Sequence, residues 1–249
     1  MKVHVTTSSY MLGKLLGIER AMAELQHQLE DTTSESLPSI RTIARLRELT
    51  PLELRMDTGG TVIAKVRSRH FHSAFESGAD AWVSVDDDVE ATLETLDHLL
   101  GAVATLRPVI CTAPVIKRGI ASRKEIDVTG AGQIASEVVS FSGRYGNGAV
   151  VRIADGGFGL IAINRAAMNE IVKYFDAHVD YHNQDFKLFR DDDDVAKRAV
   201  FREIIREGKW YGEDLSFFRR VPEHVDIVAL IKGHTAHDGI PLELRTVGT

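Results

Sequence analysis

Short apolar runs rich in β-branched residues alternate regularly with longer segments that carry apolar residues at helical spacing. The apolar runs predict buried strands at residues 3–6, 81–85, 109–113 and 160–163. The longer segments predict helices at residues 12–29, 40–49, 68–77, 90–103 and 165–175. Strands that alternate with helices are typical of an α/β protein built on a central sheet.

Two further assignments rest on local signals alone. A strand is predicted at residues 61–66, because this β-prone segment follows the turn signal Asp57-Thr58-Gly59-Gly60. A helix is predicted at residues 195–207, because Gly208 follows it as a stop signal. Short strands are also predicted at residues 138–141, 150–153 and 225–232. The length of 249 residues fits one large α/β domain better than two small ones.

Composition and charge argue against several classes of protein. The formal net charge of -6 gives no whole-molecule attraction to nucleic acid or to an acidic membrane. No window approaches the ~20 apolar residues that span a bilayer, and residues 1–6 lack the basic and apolar regions of a signal peptide. The single cysteine, Cys111, excludes a disulfide framework and indicates a reducing compartment. A cytoplasmic location is therefore expected.

Three consecutive aspartates, Asp86, Asp87 and Asp88, directly follow the predicted strand at residues 81–85. Ligands of open α/β sheets bind beyond the carboxyl ends of the strands. Asp86 and Asp88 can face the same side of an extended segment, so their oxygens can hold a hard cation such as Mg²⁺ or Mn²⁺. The alternative is a solvated turn in which Asp88 caps the following helix. The more acidic run at residues 191–194 follows no buried strand and is interpreted as a solvated loop and helix start.

Other polar residues have both a functional and a structural interpretation. Glu213 and Asp214 can perform acid–base chemistry, or they can simply stabilise the N-terminus of a short helix. His234 and His237 can ligate a metal or can be ordinary residues at the end of a strand. A group of glycines can shape a binding loop or form a plain turn before a strand, and it makes no dinucleotide fingerprint because no GxGxxG follows the first strand: Gly156, Gly157 and Gly159.

The order of these segments resembles the motif order of glycosyltransferases of the GT-A fold. Residues 82–88 resemble the DxD motif of that family, and residues 155–163 resemble its glycine-rich segment. Residues 210–218 resemble the acidic ED motif, and residues 237–239 resemble the late HxG element. The resemblance implies one GT-A domain over residues 1–249, with a Rossmann-like mixed central sheet flanked by helices. Its nucleotide-sugar-binding half would cover about residues 1–115 and its acceptor and catalytic half about residues 116–249.

The resemblance also implies a role for individual residues. The metal ligands would be Asp86, Asp88 and His237, and His237 is preferred to His234 because Gly239 follows it at the family spacing. Asp214 would be the general base, and Glu213 would orient the acceptor or support Asp214. The donor would contact residues at the first strand end, the arginines before the aspartates, the glycine-rich segment and the aromatic before the ED motif: Thr6, Thr7, Ser8, Arg67, Arg69, Asp86, Asp87, Gly157, Phe158, Gly159 and Trp210.

The function that the resemblance implies is that of a metal-dependent hexosyltransferase. It would use Mn²⁺ or Mg²⁺ and a nucleoside-diphosphate-sugar, with a UDP-sugar favoured, and would transfer the sugar to an acceptor hydroxyl with inversion. The acceptor could be a glycan, a lipid or a modified DNA base. Two alternatives stay open, a metal-dependent nucleotidyltransferase and a sugar-nucleotide-binding module without activity.

Overall fold

The computed structural model describes residues 1–8, 18–57, 63–113, 134–143, 146–154, 156–178, 188–190, 196–231, 233–237 and 240–244. Within these ranges the helices are α1 (Ile18–Glu30), α2 (Pro38–Leu49), α3 (Ile63–Glu76), α4 (Leu93–Val103), α5 (Arg165–His178) and α6 (Glu213–Phe218). None of them combines the length and the apolarity that crossing a membrane requires.

The strands of the described ranges fall into one large sheet and three small ones. The large sheet contains β1 (Val3–Ser8), β2 (Leu52–Asp57), β3 (Ala81–Asp86), β5 (Val109–Thr112), β6 (Ile134–Gly143), β7 (Gly146–Ile153), β8 (Leu160–Asn164) and β13 (Asp226–Leu230). The small sheets are built from β4 (Val89–Ala91), β9 (Leu188–Arg190), β10 (Ala196–Arg198), β11 (Ile204–Arg206), β12 (Lys209–Tyr211), β14 (Gly233–His237) and β15 (Ile240–Leu244).

The large sheet is mixed and draws strands from both parts of the chain. Its order is β2-β1-β3-β8-β5-β13-β7-β6. The strands β1, β2 and β3 run parallel to one another, β8 runs antiparallel to its neighbours β3 and β5, and β13 is parallel to β5. The predicted α/β class, with a mixed central sheet flanked by helices, is confirmed. The parallel trio brings the carboxyl ends of three strands to one edge.

Each face of the sheet is covered by its own hydrophobic core. On one face, Val83 and Val85 of β3 pack in a cluster with residues of α2 and α4, among them Leu46 and Leu99. On the other face, Trp82 packs in a cluster with residues of α3, α5 and α6. Burial of one large apolar side chain contributes roughly 1.5–3 kcal/mol. Because β3 and β8 are buried on both faces, they appear in the sequence as nearly continuous apolar runs.

The strand predicted at residues 61–66 is wrong, since α3 begins at Ile63. The second strand lies earlier, at β2, where apolar and charged residues alternate. Glu53 and Arg55 of β2 are exposed and their neighbours are partly buried, because β2 is an edge strand with one face towards solvent. The alternation of apolar and charged residues in β2 was the informative signal. Asp57, the first residue of the predicted turn, is the last residue of this strand.

The helix predicted at residues 195–207 is also wrong. The described part of this segment contains β10 and β11, and β11 pairs with β12 as a hairpin. The turn between them has a positive φ at both residues, 53° at Glu207 and 72° at Gly208, which is the geometry of a tight two-residue hairpin turn. Gly208 therefore marks a turn between strands, a role that helix periodicity alone does not distinguish from a helix stop.

The pH dependence of stability is expected to depend on His70 in α3. Its ring is buried and its Nε2 atom has no hydrogen-bond partner within the described chain. Burial, followed by the charges of Arg55, Arg69, His4 and Arg67, lowers the pKa of His70 from 6.5 to about 3. Protonation therefore favours the unfolded chain as the pH falls below 6.5, and this loss continues towards pH 3.

We expect the free energy of unfolding to fall more steeply with decreasing pH in the unmodified protein than in the variant His70→Phe. One proton accounts for a slope difference of up to ~1.4 kcal/mol per pH unit. Urea titrations between pH 7 and pH 4 measure the two slopes. Parallel slopes would show that His70 binds its proton equally well in both states.

Candidate functional site

The carboxyl ends of the three parallel strands bring several polar residues to one edge of the sheet. Ser8 at the end of β1 lies opposite Asp57 of β2 and opposite Asp86 of β3 in the strand register. Asp87 and Asp88 follow in the turn that leads to β4. The predicted aspartate cluster therefore lies where ligands of open α/β sheets bind.

Arg67 of α3 joins this edge to a segment that lies almost 150 residues later in the chain. Its Nη2 donates to both carboxylate oxygens of Asp86, at 3.0 Å each. Its Nη1 donates to Glu213 Oε1 at 3.2 Å and to Asp214 Oδ1. The side chain of Arg67 is 6% exposed, and its guanidinium carbon lies 5.1 Å from the centre of the Phe158 ring. Burial lowers the pKa of Arg67, but the charges of the three carboxylates raise this pKa by a larger amount, so the residue stays charged.

Glu213 and Asp214 form the first turn of α6, after the N-cap residue Gly212. Acidic side chains at a helix N-terminus are stabilised by the helix dipole. Burial, assisted by the negative charges of Glu213 and Asp86, raises the pKa of Asp214 to about 6 in spite of Arg67 and of a hydrogen bond from the Phe158 backbone. A carboxyl with a pKa near neutrality is suited to general acid–base catalysis.

The backbone of the glycine-rich segment, residues 156–159, accepts hydrogen bonds from Asp86 of β3 and from Thr112 of β5. The carbonyl of Gly159 accepts a hydrogen bond from the backbone N–H of Asp86 at 2.9 Å. The carbonyl of Gly157 accepts from Thr112 Oγ1 at 2.9 Å. The side chain of Phe158 is fully buried among other aromatic rings, including Trp82 and Phe217. The ring of Phe158 therefore contacts the Arg67 guanidinium and its backbone donates to Asp214. Its buried side chain offers no surface to a ligand.

The two adjacent glycines 156 and 157 are expected to respond differently to substitution by alanine. A Cβ added at Gly156 would lie 3.1 Å from Thr112 Cγ2 and 3.2 Å from Ile153 Cδ1. Thr112 is buried and its hydroxyl is bonded to the Gly157 carbonyl, so it cannot easily move away. A Cβ at Gly157 would have no atom within 4 Å.

We expect Gly156→Ala to lower the free energy of unfolding by ~1 kcal/mol or more through overpacking. Gly157→Ala should be neutral or slightly stabilising, because alanine restricts the unfolded chain. Chemical denaturation of both variants measures the difference. Equal stabilities would show that the loop at residues 156–159 rearranges to accept a side chain.

The strand register distinguishes the two late histidines. His237 in β14 lies opposite Val89 of β4, the residue that directly follows Asp88. His234 comes three residues earlier in β14, before Thr235, which lies opposite Ala91. The backbone of His237 is thus adjacent to the aspartate turn, and that of His234 is not. Within the described chain no group of three or more His, Cys, Asp or Glu side chains forms a preassembled metal cage.

The remaining predicted donor contacts lie in different environments. Thr6 is buried and its hydroxyl accepts a hydrogen bond from Trp82 Nε1 at 2.8 Å. Thr7 is also buried, and its hydroxyl has no hydrogen-bond partner within the described chain. Trp210 of β12 is 63% exposed, and its ring lies close above Gly212, immediately before the two acids of α6. Among these residues, Trp210 presents the most surface to a ligand.

One polar residue at this edge is missing from the predicted site. Asp57 at the end of β2 forms an ion pair with Arg69, whose Nη2 lies 2.8 Å from Asp57 Oδ2. Arg69 is therefore held at the strand edge by a partner that the sequence pattern places in a turn. The alternating pattern of β2, which ends at Asp57, was the signal that could have identified it.

Comparisons with known proteins give distant structural similarities only. No protein-family model matches the sequence, and no curated protein sequence matches it. Among solved structures, A197 from STIV is 13% identical, with a TM-score of 0.45, over 100% of this chain and 96% of that chain. TarS 1-349 from S. aureus, solved in complex with UDP-GlcNAc, is 14% identical, with a TM-score of 0.43, over 95% of this chain and 58% of that chain.

A third similar structure is the mannose-1-phosphate geranyltransferase from Thermus thermophilus. It is 9% identical, with a TM-score of 0.34, over 92% of this chain and 73% of that chain. All three TM-scores lie below 0.5, so none of these similarities decides the fold or the function of this chain. The function is therefore inferred from the residues of the site.

Proposed function

We propose that this protein is a metal-dependent glycosyltransferase that moves a sugar from a nucleoside-diphosphate-sugar, with a UDP-sugar favoured, to an acceptor hydroxyl. The observation that carries the proposal is the junction at Arg67. A carboxylate at the end of a parallel strand, Asp86, and a carboxylate pair at a helix start, Glu213 and Asp214, meet on one buried guanidinium. A donor site and a base would need this proximity, and a binding module without activity would not.

The residues at the strand edge fit a divalent cation of the Mg²⁺ or Mn²⁺ type. Such a cation often uses one or two carboxylates together with substrate phosphates and does not need a complete protein cage. Asp88 lies in the turn beside the backbone of His237, and Asp86 keeps further lone pairs besides those that accept from Arg67. We assign Asp86, Asp88 and His237 as ligands. When bound, the cation would stabilise the charge of the diphosphate leaving group.

Asp214 is the residue we assign as the general base. With its pKa at about 6, its carboxylate is largely ionised at neutral pH and can take a proton from an acceptor hydroxyl. The acceptor oxygen then bonds to the anomeric carbon while the bond from that carbon to the diphosphate breaks. If the attack comes from the face opposite the leaving group, the anomeric configuration inverts. Glu213 would orient the acceptor hydroxyl beside this base.

The surrounding residues would provide the walls of the site. Ser8 and Asp87, at the strand edge, and the exposed backbone of Gly157 would line the donor side. Trp210 would offer an aromatic face to a sugar ring next to the two acids, since aromatic faces and apolar sugar faces pack well. The acceptor class stays a choice among a glycan, a lipid and a modified DNA base.

Calorimetric titration with a panel of UDP-, GDP- and other nucleotide-sugars tests the proposal, first with Mn²⁺ and then with a chelator. We expect one donor to bind, and its binding to require the cation. Binding of no donor by the folded protein would remove the proposal. Release of pyrophosphate from a nucleoside triphosphate by the protein would instead indicate a nucleotidyltransferase. Donor binding without any turnover would favour a sugar-nucleotide-binding module.

A further inference from the structure

The family resemblance implies that Arg67 is a donor ligand, but its environment in the structure is that of an internal counter-ion. Both of its terminal nitrogens donate to carboxylates, Nη2 to Asp86 and Nη1 to Glu213 and Asp214. The side chain is only 6% exposed. A buried guanidinium with these partners would have to give up ion pairs to reach a phosphate, and breaking a buried pair is strongly unfavourable.

The partners of Arg67 belong to the two sides of the proposed reaction. Asp86 ends β3 on the donor side, and Glu213 and Asp214 begin α6 on the acceptor side. The glycine-rich segment makes a second link, since Gly159 accepts from the backbone of Asp86 and Phe158 donates to Asp214. Arg67 links the two sides through its side chain, and its planar fork orients carboxylates on both sides at once.

The charges of this group point to the same role. Three carboxylates surround one guanidinium, so the group carries an excess of negative charge. Without Arg67 the three carboxylates would repel one another at close range. The acids of α6 would then move away from Asp86, or one of them would take up a proton.

We propose that Arg67 is a positioning residue that holds the candidate base Asp214 at a fixed place relative to the donor-side Asp86. The proposal rests on the function proposed above. Arg67 thus governs turnover, and it contributes little to the affinity for the donor, because the backbone of Asp86 stays bonded to the Gly159 carbonyl without it. Displacement of a reacting group by about 1 Å can cost about 100-fold in rate, and we expect a loss of this size when the guanidinium is removed.

The test compares Arg67→Ala, Arg67→Lys and the unmodified protein, using the nucleotide-sugar that binds in the calorimetric panel. We expect donor affinity to change little while turnover, measured as release of the nucleoside diphosphate, falls about 100-fold in Arg67→Ala. Millimolar guanidinium should restore part of the turnover of Arg67→Ala, because the ion fits the vacated site. Arg67→Lys should be intermediate, since it keeps the charge but not the fork.

Arg165→Ala is the matched control. Arg165 also lies over a phenylalanine ring, 4.6 Å from the centre of Phe75, and donates to the Phe75 carbonyl at 2.6 Å. Its removal should alter stability but neither turnover nor the response to guanidinium. A loss of donor affinity in Arg67→Ala as large as its loss of turnover would overturn the proposal and make Arg67 a donor ligand. Unchanged turnover in that variant would overturn it as well.

A second measurement separates this inference from the proposed function. If no nucleotide-sugar binds the unmodified protein, the proposed function fails, and hydrogen exchange still tests the junction. Amides of α6 should exchange faster in Arg67→Ala than in Arg165→Ala, and guanidinium should slow them again. Equal exchange in the two variants would show that Arg67 does not hold α6 in place.

Discussion

Replacement of Asp214 by asparagine is expected to lower the rate of sugar transfer by ~10²–10⁴-fold, because the variant keeps the shape of the side chain but loses the proton acceptor. The affinity for the nucleotide-sugar should be retained, since Asp214 lies at the start of α6 and not at the strand edge. Initial rates and calorimetry on the same preparation separate the two quantities.

The pH profile provides a second measure of the same residue. A base acts only when ionised, so kcat/KM of the unmodified protein should fall as the pH drops through about 6, the pKa of Asp214. The small residual rate of Asp214→Asn should lack this limb. Glu213→Gln should keep this limb and shift it to lower pH, because it leaves the base and removes a charge that raises the pKa of Asp214. Intact turnover with lost donor affinity in Asp214→Asn would show that Asp214 binds the donor and does not act as a base.

Replacement of Asp88 by alanine is expected to abolish the cation-dependent part of donor binding. Asp88 lies in the turn at the end of β3, beside the backbone of β14, and we assign it as a cation ligand. Its loss should therefore lower donor affinity in Mn²⁺ to the value that the unmodified protein shows with chelator. A cation bridge between protein and diphosphate acts on both binding and leaving-group stabilisation, so turnover should fall as well.

Glu94→Ala is the matched control for this variant. Glu94 is an exposed acid in the first turn of α4, so its removal makes the same change in net charge away from the strand edge. Donor affinity should then be unchanged with and without the cation. If Asp88→Ala still binds the donor in a cation-dependent way, the aspartate turn is not the cation site and Asp88 has only a structural role.

These expectations depend on one arrangement, in which a single buried arginine joins two acidic segments. The short aspartate run and the ED pair are each ambiguous in the sequence, since both are common at turns and helix starts. Their meeting at Arg67 distinguishes them from ordinary surface acids, because a buried charge needs charged partners of good geometry. By contrast, Glu90 of β4 forms ion pairs with Arg41 and Arg45, which join this strand to α2.

The amino-acid pattern is enough to establish the α/β class and the position of the aspartates at a strand end. Those conclusions follow from periodicity: β3, β5 and β8 are buried on both faces, so they appear as nearly continuous apolar runs and are recognisable. Periodicity is local, and it failed where the signal was weak. The edge strand β2 was missed, and a strand was predicted after it at residues 61–66, where a helix begins. A helix was predicted over β10 and β11, because turn residues such as Gly208 serve helix ends and hairpins alike.

Which polar residues share a site depends on tertiary packing. Arg67 and Asp214 are separated by 147 positions, and no local pattern indicates that a helix after β2 will present its arginine to a helix start near the end of the chain. The register of β14 against β4 likewise places the backbone of His237, and not that of His234, beside the aspartate turn. Such contacts are set by the packing of the sheet and its helices, in which each residue's neighbours are fixed by the whole chain and not by its own segment.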